Sequence, residues 1–490
     1  MGEREVLLEG LSKMTFTSLR YVAFDQLHEK YGVLRDASPQ RDLVVMVESK
    51  AIMSSAKWHP ERLYFYRSSA RHFARRLEER GFVVEFIQSS STVVGLTEIK
   101  AKYPGLPRFA DFREMYAKLG DSFDAVSVST PDHMHALATI TAMRLKKHTY
   151  CQKPLTHTVW EARQLRLEAA RTGVRTQMGN QIHSAAEYRT GVKLIQSGRI
   201  GKILAVHTWH PNMGNGFTKR TTVPASAPVP AGVNWDLWLG VAPTRDYAPA
   251  VYHPFTWRDW VDFGSGTMGD FGCHLLDPVF TALKLGEAIS VKADSVGANE
   301  QTWCAKQTIE WVFPGTEYTV GKTISVTWYD GGRLPDATLA LLPPGKKLAG
   351  AGSIFIGELG VMMLPHVGMP QLFPEEKFGK NLNPGELARR ARDKNPTTDK
   401  VAVSLADRVE GSSHYHAWVD AALDGHETTD NFAYAGPLTE AVQLGNVASR
   451  FSGVKLDWDA ANMKFPTKPE AEALLTKQYR KGWEFKPSGA

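Results

Sequence analysis

The chain predicts an α/β fold followed by an α+β domain built on a large, mostly antiparallel sheet. Up to about residue 200, apolar strands alternate with amphipathic helices, the pattern of a parallel sheet covered on both faces. From Lys202 onward short strands succeed one another with turns between them and few long helices, the pattern of an antiparallel sheet. At 490 residues the chain is also too long for one ordinary core.

The first strand is expected at Leu19–Phe24 and the second at Asp42–Glu48. Pro60 opens a helix through Arg80, with Leu63, Tyr66, Ala70, Phe73 and Leu77 on one stripe. Gly81 stops it, and Phe82–Ile87 is a third strand. After the polar join Ser89–Thr92 the pattern restarts with helices near Leu96–Lys102 and at Phe112–Leu119, then the strand Ala125–Ser129. A helix at Ala136–Leu145, a strand at His148–Cys151, a helix at Val159–Ala170 and a strand at Arg175–Met178 follow.

In the second half Ile203–Trp209, Ser290–Val296, Thr308–Val312, Thr323–Trp328 and Gly352–Ile356 read as strands. Loops occupy Pro211–Gly232 and Leu341–Gly352, and helices return at Tyr415–Leu423, Thr439–Arg450 and Pro469–Lys481. No internal repeat is present.

Composition narrows the function classes. The apolar share of 43% and charged share of 22% are those of a globular protein. A net charge of +6, with basic residues dispersed, does not point to nucleic acid; the run Arg389–Lys394 sits among loop-forming residues. Cys151, Cys273 and Cys304 are odd in number and lack metal-type spacing, which predicts reduced thiols and a cytoplasmic protein. Neither a signal peptide nor a membrane-spanning run is expected.

Two stretches carry chemistry. Thr130-Pro131 ends a strand and opens a helix, where open parallel sheets bind ligands, although Pro at a helix start is common on its own account. His133 and His135 lack a third partner at ligand spacing, so no metal site is expected. Lys153 closes the next strand, in Gln152-Lys153-Pro154, and could exchange a proton or bind a hydroxyl; alone, a surface lysine is the simpler account. Asp270 and His274 stand four apart, so a helix starting near Gly269 would stack them on one face. Equally, Asp270 could cap that helix with His274 packed beneath it. Gly264-Ser-Gly266 lacks the lysine of a phosphate loop and reads as a turn.

In this order the pieces resemble the glucose–fructose oxidoreductase / inositol dehydrogenase / MocA family. The resemblance runs from about Gly95 to the C-terminus, through Thr130-Pro-Asp-His-Met-His135, Gln152-Lys153-Pro154 (for the family's Glu-Lys-Pro), Gly179-Asn-Gln181 and Trp257-Arg258. It continues through Asp270-Phe-Gly-Cys-His274, Ile354-Phe-Ile-Gly-Glu358, Gly436-Pro-Leu-Thr-Glu440 and Trp483. It implies a Rossmann-like dinucleotide-binding domain followed by an antiparallel-sheet domain covering the nicotinamide. Lys153 and His274 would assist proton transfer, with Asp270 holding the substrate hydroxyl. Thr130, Pro131 and His135 would lie by the nicotinamide ribose, with Gln152 and Gln181 nearby. The implied reaction is reversible oxidation of a secondary hydroxyl of a sugar or cyclitol, with hydride passing to NAD or NADP, in a homo-oligomer joined through the second domain's sheet.

The front of the chain departs from that family. No Gly-x-Gly-x-x-Gly turn precedes Thr130, so the backbone donors for the pyrophosphate are missing, and this predicts weak NAD affinity. Instead Asp25-Gln-Leu-His28, Leu34-Arg-Asp36, Met46-Val-Glu-Ser49 and Ser69-Ala-Arg-His-Phe73 resemble the start of photolyase-related proteins. Their flavin-binding helical domain has no counterpart here, which argues against a light-responsive flavoprotein. The expected parts are thus a photolyase-related-like α/β segment (1–92), a truncated dinucleotide-binding domain (93–200), an antiparallel-sheet domain (201–435) and a C-terminal helical segment (436–490). The competing reading is a non-catalytic carbohydrate-binding or oligomerisation protein, in which Trp235, Trp238, Trp257 and Trp260 would suit sugar stacking, although burial in a core is the commoner fate of such residues.

Overall fold

In a computed structural model of the chain the described residues are 18–22, 42–49, 83–89, 107, 109–211, 222–223, 225–252, 255–392 and 399–488. They fall into two compact units, residues 1–109 with 415–423, and residues 110–414 with 424–490.

In the first unit, β1 (Ser18–Val22), β2 (Asp42–Ser49) and β3 (Val83–Ser89) form a parallel sheet in that order, Ser18 facing Asp42 and Leu43 facing Val83. All three strands were expected; the helices expected over 60–80 and 96–102 lie outside the described residues.

In the second unit, β4 (Ala125–Val128), β5 (His148–Gln152) and β6 (Thr176–Gly179) form a separate parallel sheet in sequential order. Helix α1 (Phe112–Leu119) precedes it, α2 (Asp132–Arg144) links β4 to β5, and α3 (Val159–Thr172) links β5 to β6. This is an incomplete Rossmann-like arrangement. Helix α2 starts at Asp132, directly after Pro131 as the Thr130-Pro131 boundary suggested, and four residues ahead of the stretch 136–145; it is buried on nearly every side, which erases the polar face. Helix α3 is bounded by a capping box between Thr158 and Glu161 and by Gly173 in the left-handed region.

The second sheet has eight strands in the order β13-β12-β11-β7-β10-β9-β8-β14, antiparallel except where β7 meets β10. β7 (Ile203–Trp209), β8 (Ser290–Val296), β9 (Lys306–Pro314), β10 (Thr323–Asp330) and β11 (Gly352–Gly357) match expectation. β12 (Gly360–Pro365), β13 (Gln371–Phe373), β14 (Lys455–Asp457) and the helix α4 (Ala186–Gln196) were not anticipated. β12 is an unbroken apolar run without alternation, and three-residue strands are too short to show a period.

Two long helices back this sheet, α5 (Gly266–Leu283) and α6 (Phe432–Ser449). α6 begins seven residues before its expected start, capped by the Asn431 side chain, which accepts from the amides of Ala433 and Tyr434; the internal Pro437 hides that start. Gly445 lets α6 lie against the sheet, since a Cβ there would come within 2.7 Å of the Trp311 ring. The Trp311 indole donates to the Ala441 carbonyl at 3.0 Å. Between α3 and α6, the Arg163 guanidinium binds both Glu440 oxygens at 2.8 Å with both side chains buried.

The helix expected over Pro469–Lys481 is only a 3₁₀ turn at Pro469–Leu474. Lys477 and Tyr479, two positions apart, both reach the buried Glu161 carboxylate, at 2.9 and 2.5 Å, which suits extended backbone rather than a helix. Among the described residues no helix is long and apolar enough to cross a membrane.

Candidate active site

Lys153 directly follows β5, and Asp270 lies in the second turn of α5. The Lys153 ammonium donates to the Asp270 carboxylate at 2.8 Å and to its main-chain carbonyl at 2.7 Å. Because α5 begins at Gly266, Asp270 is inside the helix and does not cap it. The Arg258 guanidinium donates to the same carboxylate oxygen at 3.1 Å. Burial works against the Asp270 carboxylate, but Lys153 and Arg258 outweigh it and hold its pKa below the usual range. Burial likewise opposes the Lys153 charge, and Asp270 reverses that, so the pKa of Lys153 is raised. An isolated surface lysine is therefore not what the fold contains.

His274 is one turn further along α5. Its Nδ1 meets the Asn180 side-chain oxygen just beyond β6, while the Asn180 amide nitrogen donates to the Cys273 carbonyl at 3.2 Å. That second bond fixes which end of the amide is oxygen, so His274 carries its proton on Nδ1 and presents a lone pair at Nε2. Burial, and after it the charge of Lys153, push the His274 pKa well below that of an ordinary histidine. The ring is thus neutral at neutral pH and suited to accept a proton.

Phe271 faces the same space, with the Lys153 ammonium 6.0 Å from its ring centre and the His210 ring stacked on it at 3.6 Å. His210 follows β7, and burial lowers its pKa to about 4. His366 follows β12, with its ring centre 5.7 Å from that of His274, and its Nδ1 lies 3.1 Å from the Tyr188 hydroxyl. Sequence reasoning assigned no role to Asn180, Arg258, His210, His366 or Tyr188. Asn180 and Arg258 sit inside quoted motifs, but His210 and His366 merely follow strands, and nothing local marks them.

The residues expected beside a nicotinamide gather at the carboxyl ends of β4, β5 and β6. Thr130 is exposed and Pro131 occupies the cap position of α2. The Gln152 side chain lies over Gly179, where a Cβ would sit 2.8 Å from its carboxamide. Gln181 opens the 3₁₀ turn Gln181–Ser184. His135 is buried, and its two ring nitrogens lie 2.8 Å from the carbonyls of Thr130 and Pro154. Both ring nitrogens thus face main-chain carbonyls, and His135 braces two strand-end loops. Burial opposes a charge on the ring, but Cys151 and the carbonyls outweigh it and raise the pKa. The His133 Nε2 lies 3.1 Å from the Trp238 carbonyl.

Trp257 and Trp260 belong to a core, and Trp235 and Trp238 pack half-buried against it. Trp235 stacks on Trp238 at 4.7 Å, Trp260 is fully buried, and Phe263 and Tyr252 fill the space between.

A lysine, a carboxylate and a neutral imidazole thus lie together beside parallel strand ends. Residues 69–180 match the NAD-binding Rossmann fold of the Gfo/Idh/MocA oxidoreductase family, and residues 187–327 match that family's C-terminal alpha/beta domain. The chain belongs to this family through both domains. Residues 20–103 match the deoxyribodipyrimidine photo-lyase-related proteins, overlapping the Rossmann match.

Among curated relatives, 1,5-anhydro-D-fructose reductase of Ensifer adhaerens is 37% identical over 87 residues, 18% of this chain and 26% of that enzyme. Inositol 2-dehydrogenase of Leifsonia xyli is 31% identical over 130 residues, 25% of this chain and 38% of that enzyme. The matched stretch spans about a quarter to a third of the first relatives' own length. An NAD binding oxidoreductase structure from Klebsiella pneumoniae superposes with a TM-score of 0.47 at 13% identity, covering 90% of this chain and 99% of that one.

Proposed function

We propose that the chain reversibly oxidises a secondary hydroxyl of a sugar or cyclitol, with NAD or NADP as hydride acceptor. The observation that carries the reading is the Asp270–His274 turn. It holds the Lys153 ammonium at one end and a neutral imidazole with an outward lone pair at the other. His274 Nε2 would take the hydroxyl proton as the carbinol carbon gives up its hydride. An ammonium has three N–H donors, and Asp270 engages two, which leaves the third for the substrate oxygen. His210 and His366, both with lowered pKa, add uncharged donors and acceptors suited to a neutral polyol.

NAD supplies the hydride-accepting ring when bound. Thr130, Pro131, Gln152 and Gln181 would hold its nicotinamide half at the strand ends, and that half is what the described residues fit. The pyrophosphate half lacks its glycine turn in the sequence, which supports weak cofactor affinity. Kinship with the family supports a homo-oligomer joined through the eight-stranded sheet.

The test follows NAD(P)H absorbance over a panel of cyclitols and aldoses, alongside nicotinamide fluorescence titration. Turnover of one polyol, abolished in His274→Ala and Lys153→Met, supports the reading. Turnover unchanged in His274→Ala, or no nicotinamide binding at millimolar cofactor, sinks it.

A further inference from the structure

One turn beyond His274, three ionisable side chains from separate segments point at one another. His183 lies in the 3₁₀ turn after β6, Asp277 is in α5, and Asp430 precedes α6. One ligand atom from each lies within 4.8 Å of the others, and all three side chains are at least nine-tenths buried. The His183 Nδ1 is 2.8 Å from an Asp277 oxygen, close to the edge of about 2.9–3.0 Å that two donors on an octahedral ion share at bond lengths of ~2.0–2.1 Å.

Without an ion, the pair His183–Asp277 satisfies itself, but Asp430 does not. Both Asp430 carboxylate oxygens are buried and lack a hydrogen-bond partner among the described residues. An unsatisfied buried carboxyl is costly, and a bound cation is the economical way to satisfy it. The surroundings suit ligands rather than a salt bridge alone. His183 Nε2 lies 3.0 Å from the Thr429 hydroxyl, which can accept its proton and leave the Nδ1 lone pair facing the carboxylates. The Tyr434 hydroxyl donates to Asp277 at 2.7 Å, orienting that carboxylate as an outer contact would.

We infer that His183, Asp277 and Asp430 form a buried site for one divalent transition-metal ion, of which Zn²⁺ and Mn²⁺ best match one imidazole with two carboxylates. The ion would tie the turn after β6 to α5 and to the start of α6. It would thereby fix Asn180, three positions before His183, against His274.

The test uses the full chain, treated with EDTA and dialysed against metal-free buffer, then titrated with ZnCl₂ and with MnCl₂ by calorimetry, with bound metal counted by mass spectrometry. One equivalent of either ion should bind saturably and raise the melting temperature, and Asp430→Asn and His183→Gln should each weaken binding at least ~10-fold. Absence of saturable binding to the wild-type chain overturns the inference, and so does undiminished binding by both variants, which would place the ion elsewhere. Because the readout is metal bound, it stands apart from the dehydrogenase reading.

Discussion

The Lys153 ammonium grips Asp270 twice, by carboxylate and by main-chain carbonyl, across 117 positions of sequence. The contact ties the end of β5 to α5, so the groups proposed for catalysis also join two parts of the fold. Replacing Asp270 by Ala removes the carboxylate that the largely buried Lys153 and Arg258 share. Urea denaturation should show a loss of ~3–5 kcal/mol, with a smaller loss for Lys153→Met.

Arg163 and Glu440 join α3 to α6 by two bonds of 2.8 Å. Glu440→Ala should destabilise the chain by ~3–5 kcal/mol in the same assay, and the apolar pair Arg163→Met with Glu440→Leu should recover much of it.

Asp132, the first residue of α2, is buried, and its carboxylate accepts from the Ser265 amide at 3.1 Å. Burial first, then the charge of Asp270, raise its pKa to about 7. A folded-state pKa above the unfolded value favours the fold below pH ~4 and loses that contribution as pH rises through about 7. Asp132→Asn keeps an acceptor without the charge. It should therefore stabilise the chain at pH 8 by a few kcal/mol and hardly at all at pH 4, as urea melts at the two values would show.

Neutral His274 is the form proposed to accept a proton, and its pKa is depressed. Turnover should fall with acid only below the ordinary histidine value of ~6.5, as the ring protonates. In a pH profile of kcat/KM, that acid limb should vanish in His274→Gln along with at least ~100-fold of the rate. An acid limb at or above the ordinary value would contradict the assignment.

Much of the site was legible because helix spacing is local. Four positions between Asp270 and His274 place them on one face wherever the helix begins. Lys153 was legible as a strand-end residue, but not its partner, since a contact over 117 positions leaves no local trace. His135 shows the opposite limit. Its motif marks a place beside the cofactor, yet two carbonyls, one from across the next strand, take both nitrogens. In the fold, an alternating strand such as β10 was read nearly to its end, whereas the three-residue strands gave no periodic signal.

Gly445 carries an evolutionary corollary. Every missense change of a glycine codon installs a Cβ, and here that atom meets a rigid indole edge at 2.7 Å and Ile309 at 3.1 Å. A missense replacement at this codon therefore forces α6 or Trp311 to shift unless residue 311 changes as well. The two positions are expected to drift as a pair, with a smaller ring at 311 preceding any departure from glycine.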